Sequence, residues 1–421
     1  MPMTRNPDSP YGQHARHAAT AARLAWGASA AYVLIAVVAI LVSIGLAGCG
    51  GGVDSGGTGA TPASVAVGPV SGFGSVVVAG IHHDESGAQI VDDDDQPLTP
   101  DALRLGTMTA IEGSAVVTSG TRRESTAQRV RVVEQVIGPV DSVDAAGGAL
   151  VVLGQHVVIT PTTALDAQFA AGLGALRAGD VLAVHGQLDV ANGRIVATRI
   201  EPRPAAAAYV LRATVTSYER SLRRVVLGGL EVDLAALAGG DLPASLPAGT
   251  LARVKLQPAR SGTLWVATAL RAATPMLGDR DQVEIEGRIT QITSPQSFSV
   301  DGVPVDASGA KFEGGTAGLV VGARVEVEGR SVGGTLIARE VELESDDGSD
   351  GRTFEVEGRI SALDTEAQTF VVRGVTVSYA DAPRFEGGTA ADLALDRRVA
   401  VKGPLSADRT RLQATSIHIE L

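Results

Sequence analysis

The chain has 421 residues, 45% hydrophobic and only 3% aromatic, with 51 glycines and one cysteine. A single core stops growing at roughly 250–300 residues, so several domains are expected, and a lone cysteine excludes an internal disulfide or a CxxC pair. The formal net charge of −12 repels phosphate backbones, which sets nucleic acid aside as a partner.

The first 23 residues are polar and carry Arg5, Arg16 and Arg23, and no charge interrupts Leu24 to Gly48. A basic flank before an apolar run is an export signal or a membrane span, with the basic side left in the cytoplasm. The run exceeds the roughly 7–15 residues of a signal h-region and reaches the roughly 20 that cross a bilayer. It ends in Leu46-Ala47-Gly48-Cys49, which resembles the lipobox of bacterial lipoproteins. That resemblance implies that Cys49 takes a diacylglyceryl group on sulfur and becomes the acylated first residue after cleavage. Two or more acyl chains give stable anchoring where one does not. Gly50 in second place, by the same resemblance, implies the outer membrane. The other reading is an uncleaved single-pass helix in the inner membrane that ends in an inert cysteine. Residues 1–48 are thus a signal peptide or anchor segment, and 49–64 a Gly-rich tether.

Beyond the tether one signature recurs. A glycine, alternating apolar residues and a second glycine are followed later by Ala-x-x-(Ile/Leu/Val), with the alanines at 127, 197, 267, 338 and 414. "EGRI" recurs at 286 and 357, and "FEGGTA" at 312 and 385. This divides the chain into units at 65–134, 135–204, 206–275, 281–345 and 353–421, with an acidic linker at 346–352. In the second unit, alternation and turn residues predict strands at 136–143, 149–153, 155–160, 181–188 and 194–201, and a short Ala/Leu-rich helix at 164–180. Three strands, a helix and two strands is the element order of the OB-fold, a five-stranded, partly open barrel. The expected fold class is therefore all-β with short helices: a tandem array of about five small OB-like five-stranded β-barrels after an N-terminal hydrophobic signal or anchor helix. A tandem of small β-sandwiches is the competing architecture.

The stretch "GPVSGFGSVVVAGI" from Gly68 to Ile81, taken with the lipobox and the repeats, resembles the bacterial lipoproteins built from domain-of-unknown-function family 5666. The third unit departs most, with Leu256 in place of its second glycine. The resemblance implies architecture and no activity.

Most chemical signatures are missing: there is no P-loop, HExxH or helix-opening GxGxxG. "GRSVG" around Ser331 lies between strands and not on the strand–turn–helix of a nucleophile elbow, so Ser331 reads as a solvated hairpin residue. "VDDDDQ" (91–96) and "SDDGSDG" (345–351) lack EF-hand spacing and read as a charged turn and a linker, with calcium the rival reading. His82 and His83 point to opposite faces of a strand and do not chelate one ion. The aligned pairs Phe298/Phe370 and Phe312/Phe385 read as barrel core and not as base-stacking platforms. Glu286 and Glu357 occupy matching repeat positions, which favours a strand-edge structural role over catalysis. No catalytic, metal or cofactor residue is assigned. The function expected is a non-catalytic, lipid-anchored envelope protein. Its barrels hang in series as a scaffold or interaction module, with the membrane and an envelope protein or glycan as partners. The alternative is an envelope-polymer hydrolase or a calcium- or ligand-binding periplasmic protein.

Overall fold

The computed structural model describes residues 63–275, 277–345 and 353–420. Leu46, Ala47, Gly48 and Cys49, and the linker at 346–352, lie outside the described residues.

The second unit consists of strands Val136–Asp144, Ala149–Val152, Gln155–Leu165, Val181–Asp189 and Arg194–Pro202. Alternate side chains such as Leu150 and Val152 turn inward, as period-two patterning requires. The first strand pairs with the second and fourth, the second with the third, and the fourth with the fifth, all antiparallel. A parallel ladder between the third and fifth closes the ring. The result is an OB-like barrel.

The third unit repeats the ring with Tyr209–Glu219, Arg224–Leu227, Leu230–Asp233, Leu251–Ser261 and Leu264–Ala272. The fourth uses Arg280–Ser294, Ser297–Val300, Val303–Asp306, Arg324–Val332 and Thr335–Glu344. The first uses Ser64–Phe73, Val76–Val78, Ile81–Asp84, Met108–Gly113 and Arg122–Val132. In the fifth, Phe354–Asp364, Thr369–Val372, Val375–Ser378 and Arg398–Gly403 are closed by a last strand interrupted between Leu412–Gln413 and Ser416–Ile419.

The recurring signature now has a cause. In the first, second and fourth copies the second glycine sits at a bulge where the fourth strand meets the fifth, opposite the recurring alanine: Gly113 faces Ala127, Gly186 faces Ala197 and Gly329 faces Ala338. A Cβ on Gly186 would lie 2.5 Å from the Val196 carbonyl oxygen, and one on Gly329 would meet the Ile337 oxygen. The third unit carries its bulge at Leu256, opposite Ala267, and buries that leucine completely. Its departure from the pattern costs it neither the bulge nor the closed ring.

The helix expected at 164–180 does not form. Leu165 still belongs to the third strand, and two single 3₁₀ turns follow, Ala167–Phe169 and Leu173–Ala175. Gly172, at φ 80°, breaks the segment between them. Asp166 caps the first turn by accepting from the Gln168 N–H, and Phe169 and Leu173 enter the core. Among the described residues no helix is long and apolar enough to cross a membrane.

The barrels do not hang in series. The start of the first barrel's first strand runs parallel to the first strand of the fourth, Ser64 opposite Gln282 through Val67 opposite Ile285. The end of the same strand runs parallel to the first strand of the fifth, with Gly72 opposite Glu355 and Phe73 opposite Val356. The second and third barrels share an antiparallel pairing of their own first strands, Ile137 with Val210 and Val136 with Leu211. An unpaired strand edge is a standing site for association; here first-strand edges are covered by one another. The cores merge accordingly: one cluster spans the second and third barrels, one spans the first and fifth, and a third fills the fourth.

Candidate functional site

The acidic turn builds the junction of the first and third barrels. Asp92 Oδ1 accepts the N–H groups of Asp94 and Gln96, both at 2.8 Å, which folds the run back on itself. Asp93 is thereby carried into contact with three guanidinium groups, those of Arg212 (2.5 Å), Arg253 (3.0 Å) and Arg271 (3.1 Å). Asp94 pairs with Arg253 at 2.7 Å and Lys255 at 3.0 Å, and Asp95 pairs with Arg129 and Arg131. Burial works to raise the Asp93 carboxyl, but the three arginines outweigh it and hold it below the ordinary range. The residues that suggested calcium therefore have arginine and lysine partners. Among the described residues no group of three or more His, Cys, Asp and Glu is placed to hold a metal.

Beneath this turn lies a cavity of about 520 Å³, within the usual range of ligand pockets, roughly 300–1,000 Å³. Four barrels contribute to its wall, among them Met108 of the first, Leu188 of the second, Arg212 and Leu251 of the third, and Asp301 of the fourth. Burial raises the Asp301 carboxyl to about 6. Its place follows from the turn between the second and third strands. In every barrel that turn is a pair of left-handed residues ending in glycine: Ala79-Gly80, Leu153-Gly154, Gly228-Gly229, Asp301-Gly302 and Arg373-Gly374. In the second, fourth and fifth barrels the side chain of the first residue of the pair lies against a glycine of the first strand. In the second barrel Leu153 does so against Gly138, where a Cβ would lie 2.7 Å from the leucine Cβ. The fourth barrel puts a carboxylate there instead, opposite Gly287. Sequence reasoning missed Asp301, although the signal was legible as an X-Gly pair between two short alternating runs, repeated in every unit.

The two glutamates weighed for hydrolysis both sit where the first barrel's first strand crosses a neighbour. Glu286 is buried, receives two hydrogen bonds from Arg324 (2.8 and 3.2 Å), and lies under Gly68. Glu357 pairs with Arg398 and with Arg122 at 3.4 Å and lies against Gly74. Beside Glu286, Glu326 is driven well above the ordinary carboxylate range, first by burial and then by its hydrogen bond to Glu284. Arg123 joins Glu284 to Glu328 across the same seam. Ser331 is not a solvated hairpin residue: near the end of the fourth barrel's fourth strand it is buried, because its hydroxyl donates to the Gly278 carbonyl and accepts from the Arg280 N–H at 3.0 Å where the chain enters that barrel.

His82 and His83 diverge. The His82 ring lies 3.0 Å from an Arg122 nitrogen, whereas His83 is wholly buried with neither ring nitrogen hydrogen-bonded, and burial lowers it to about 4. Phe298 and Phe370 are core residues, and Phe312 and Phe385 pack against cores. The second acidic run lies almost wholly outside the described residues.

A family model described as a domain of unknown function, DUF5666, matches residues 137–201, 286–342 and 357–418. These segments are the second, fourth and fifth barrels; the first and third close through the same ring of strands without being matched. None of the curated proteins compared with the chain matches it.

Proposed function

We propose that this protein, built of repeated domains of unknown function 5666, is a non-catalytic, lipid-anchored protein of the bacterial cell envelope whose barrels act together as a scaffold or interaction module. The observation that carries the reading is the sharing of first-strand edges. Ladders from the first barrel to the fourth and fifth make the repeats one body, so partners meet a composite surface and not isolated beads. The two carboxylates weighed for hydrolysis, Glu286 and Glu357, are engaged by arginines at seams between barrels, which supports a structural role for them. The Leu46–Cys49 lipobox supports the anchor, and Gly50 the outer membrane.

The deciding experiment is the mass of the N-terminal peptide from protein extracted from native membranes. An acylated peptide starting at Cys49 is expected, followed by crosslinking to find the envelope protein or glycan partner. An unmodified peptide running through residues 24–48 overturns the lipid anchor. Cleavage of an envelope polymer that disappears in the Glu286→Gln/Glu357→Gln double variant, with the fold retained, overturns the non-catalytic reading.

A further inference from the structure

A second cleft, of about 320 Å³, opens where the first, second and fifth barrels meet, on walls that include Phe73, Leu165 and Leu412. Its lining holds five arginines, Arg104, Arg199, Arg373, Arg409 and Arg411, against the three carboxylates Glu85, Asp101 and Asp166. Two further carboxylates, Glu201 and Asp408, stand beside the lining arginines Arg199 and Arg411. Three of the arginines are paired: Arg373 with Glu85 at 3.0 Å, Arg199 with Glu201 at 2.9 Å and Asp166 at 3.4 Å, and Arg411 with Asp408 at 2.8 Å. The other two are not. Among the described residues the Arg104 guanidinium donates only to the Asp101 carbonyl (3.1 Å), and that of Arg409 only to the Thr160 carbonyl (3.0 Å). In both cases Nε is the donor, which leaves the outer nitrogens of each fork without a protein acceptor.

We propose that this cleft binds a small organic oxyanion, a carboxylate or phosphate monoester with an apolar flank, held by Arg104 and Arg409. Guanidinium forks match the paired oxygens of both groups, and the apolar wall accommodates the remainder of the ligand. The cleft is a product of assembly. Arg409 stands in a left-handed turn (φ 61°) whose carbonyl accepts the Leu165 N–H at 2.9 Å, so the fifth barrel delivers this arginine onto the third strand of the second. The site is independent of the lipid anchor and of the scaffold role.

The test is calorimetric titration of the full-length, detergent-solubilised protein at low salt with inorganic phosphate and, separately, with galacturonate. Saturable binding of at least one is expected, weakened tenfold or more in Arg104→Gln/Arg409→Gln and several-fold in the exposed Arg104→Gln alone, with unchanged melting. Arg359→Gln, on a surface outside the cleft, leaves it intact. Binding of phosphate alone identifies a phosphorylated headgroup or metabolite as the source, binding of galacturonate alone an acidic glycan, and binding of both a general oxyanion site. Failure of both to bind saturably, or wild-type affinity in the double variant, overturns the proposal.

Discussion

Gly74 and Glu357, one from the first barrel and one from the fifth, approach so closely that a Cβ on the glycine would lie 2.7 Å from the Cβ of the glutamate. Two residues earlier, a Cβ on Gly72 would lie 2.6 Å from the Glu355 carbonyl oxygen. The Gly-Phe-Gly motif is thus the place where another barrel's backbone lies against the first. Gly74 also has φ 147°, which disfavours any other residue. Gly74→Ala is expected to cost about 1–3 kcal/mol in denaturant unfolding and to speed hydrogen exchange in Phe354–Asp364. Unchanged exchange there would show that the seam tolerates a side chain.

Asp93 contacts three arginines at once, two of them as buried as itself. Asp93→Asn leaves Arg212 and Arg271 without this counter-charge, while Arg253 keeps Asp94, and is expected to destabilise by about 3–5 kcal/mol. The carboxyl's folded value is depressed, so its contribution is present above its unfolded value, about 4, and is lost as pH falls through the lower folded one. Unfolding from pH 7 to pH 2 should therefore show a smaller acid-induced loss of stability in the variant than in the wild type.

Glu134 has the opposite sign. It is buried beside Arg203, at 3.5 Å, and burial raises it to about 7. Its raised value favours folding below its unfolded value, near 4.5, and that contribution is lost as pH rises through about 7. Glu134→Gln should remove this loss and gain up to about 3 kcal/mol relative to wild type at pH 8. Denaturant midpoints at pH 5 and pH 8 measure it; equal shifts at both would refute it.

His83 has neither ring nitrogen satisfied, and its value of about 4 lies below the unfolded one. A depressed histidine supports stability above about 6.5 and withdraws that support as pH falls toward 4. His83→Leu is expected to stabilise the protein by about 1 kcal/mol at pH 7, because it removes a buried polar group without partners, and to flatten the profile between pH 6.5 and 4. A loss of stability at pH 7 would point to a partner for the ring.

Local patterning carried much of the barrel. The strands of the second unit fall where alternation places them, except that the third continues to Leu165 and the neighbouring helix dissolves at Gly172. The Gly and Ala of the repeat were visible as a pattern, while their meaning, a bulge packed against the opposite strand, needed the register of Gly186 on Ala197. The acidic turn was legible as a turn through Asp92. That it clasps Arg212, Arg253 and Arg271 was not, because those partners lie more than a hundred residues away and carry no local mark. The recurring X-Gly turns that place Asp301 and Arg373 were readable and unread.

By itself, then, the sequence determined the unit: short alternating strands, left-handed turns and, in most units, a glycine at the closing bulge, all properties of residues near one another in the chain. It also determined the repetition of that unit. Only the tertiary structure decided which strand edges pair between units, as Val65 with Val283 and Phe73 with Val356, and which charges meet. Backbone hydrogen bonds at an edge are the same for every sequence. The choice among edges therefore rests on the whole surface buried when two barrels close, and no short stretch of sequence encodes that sum.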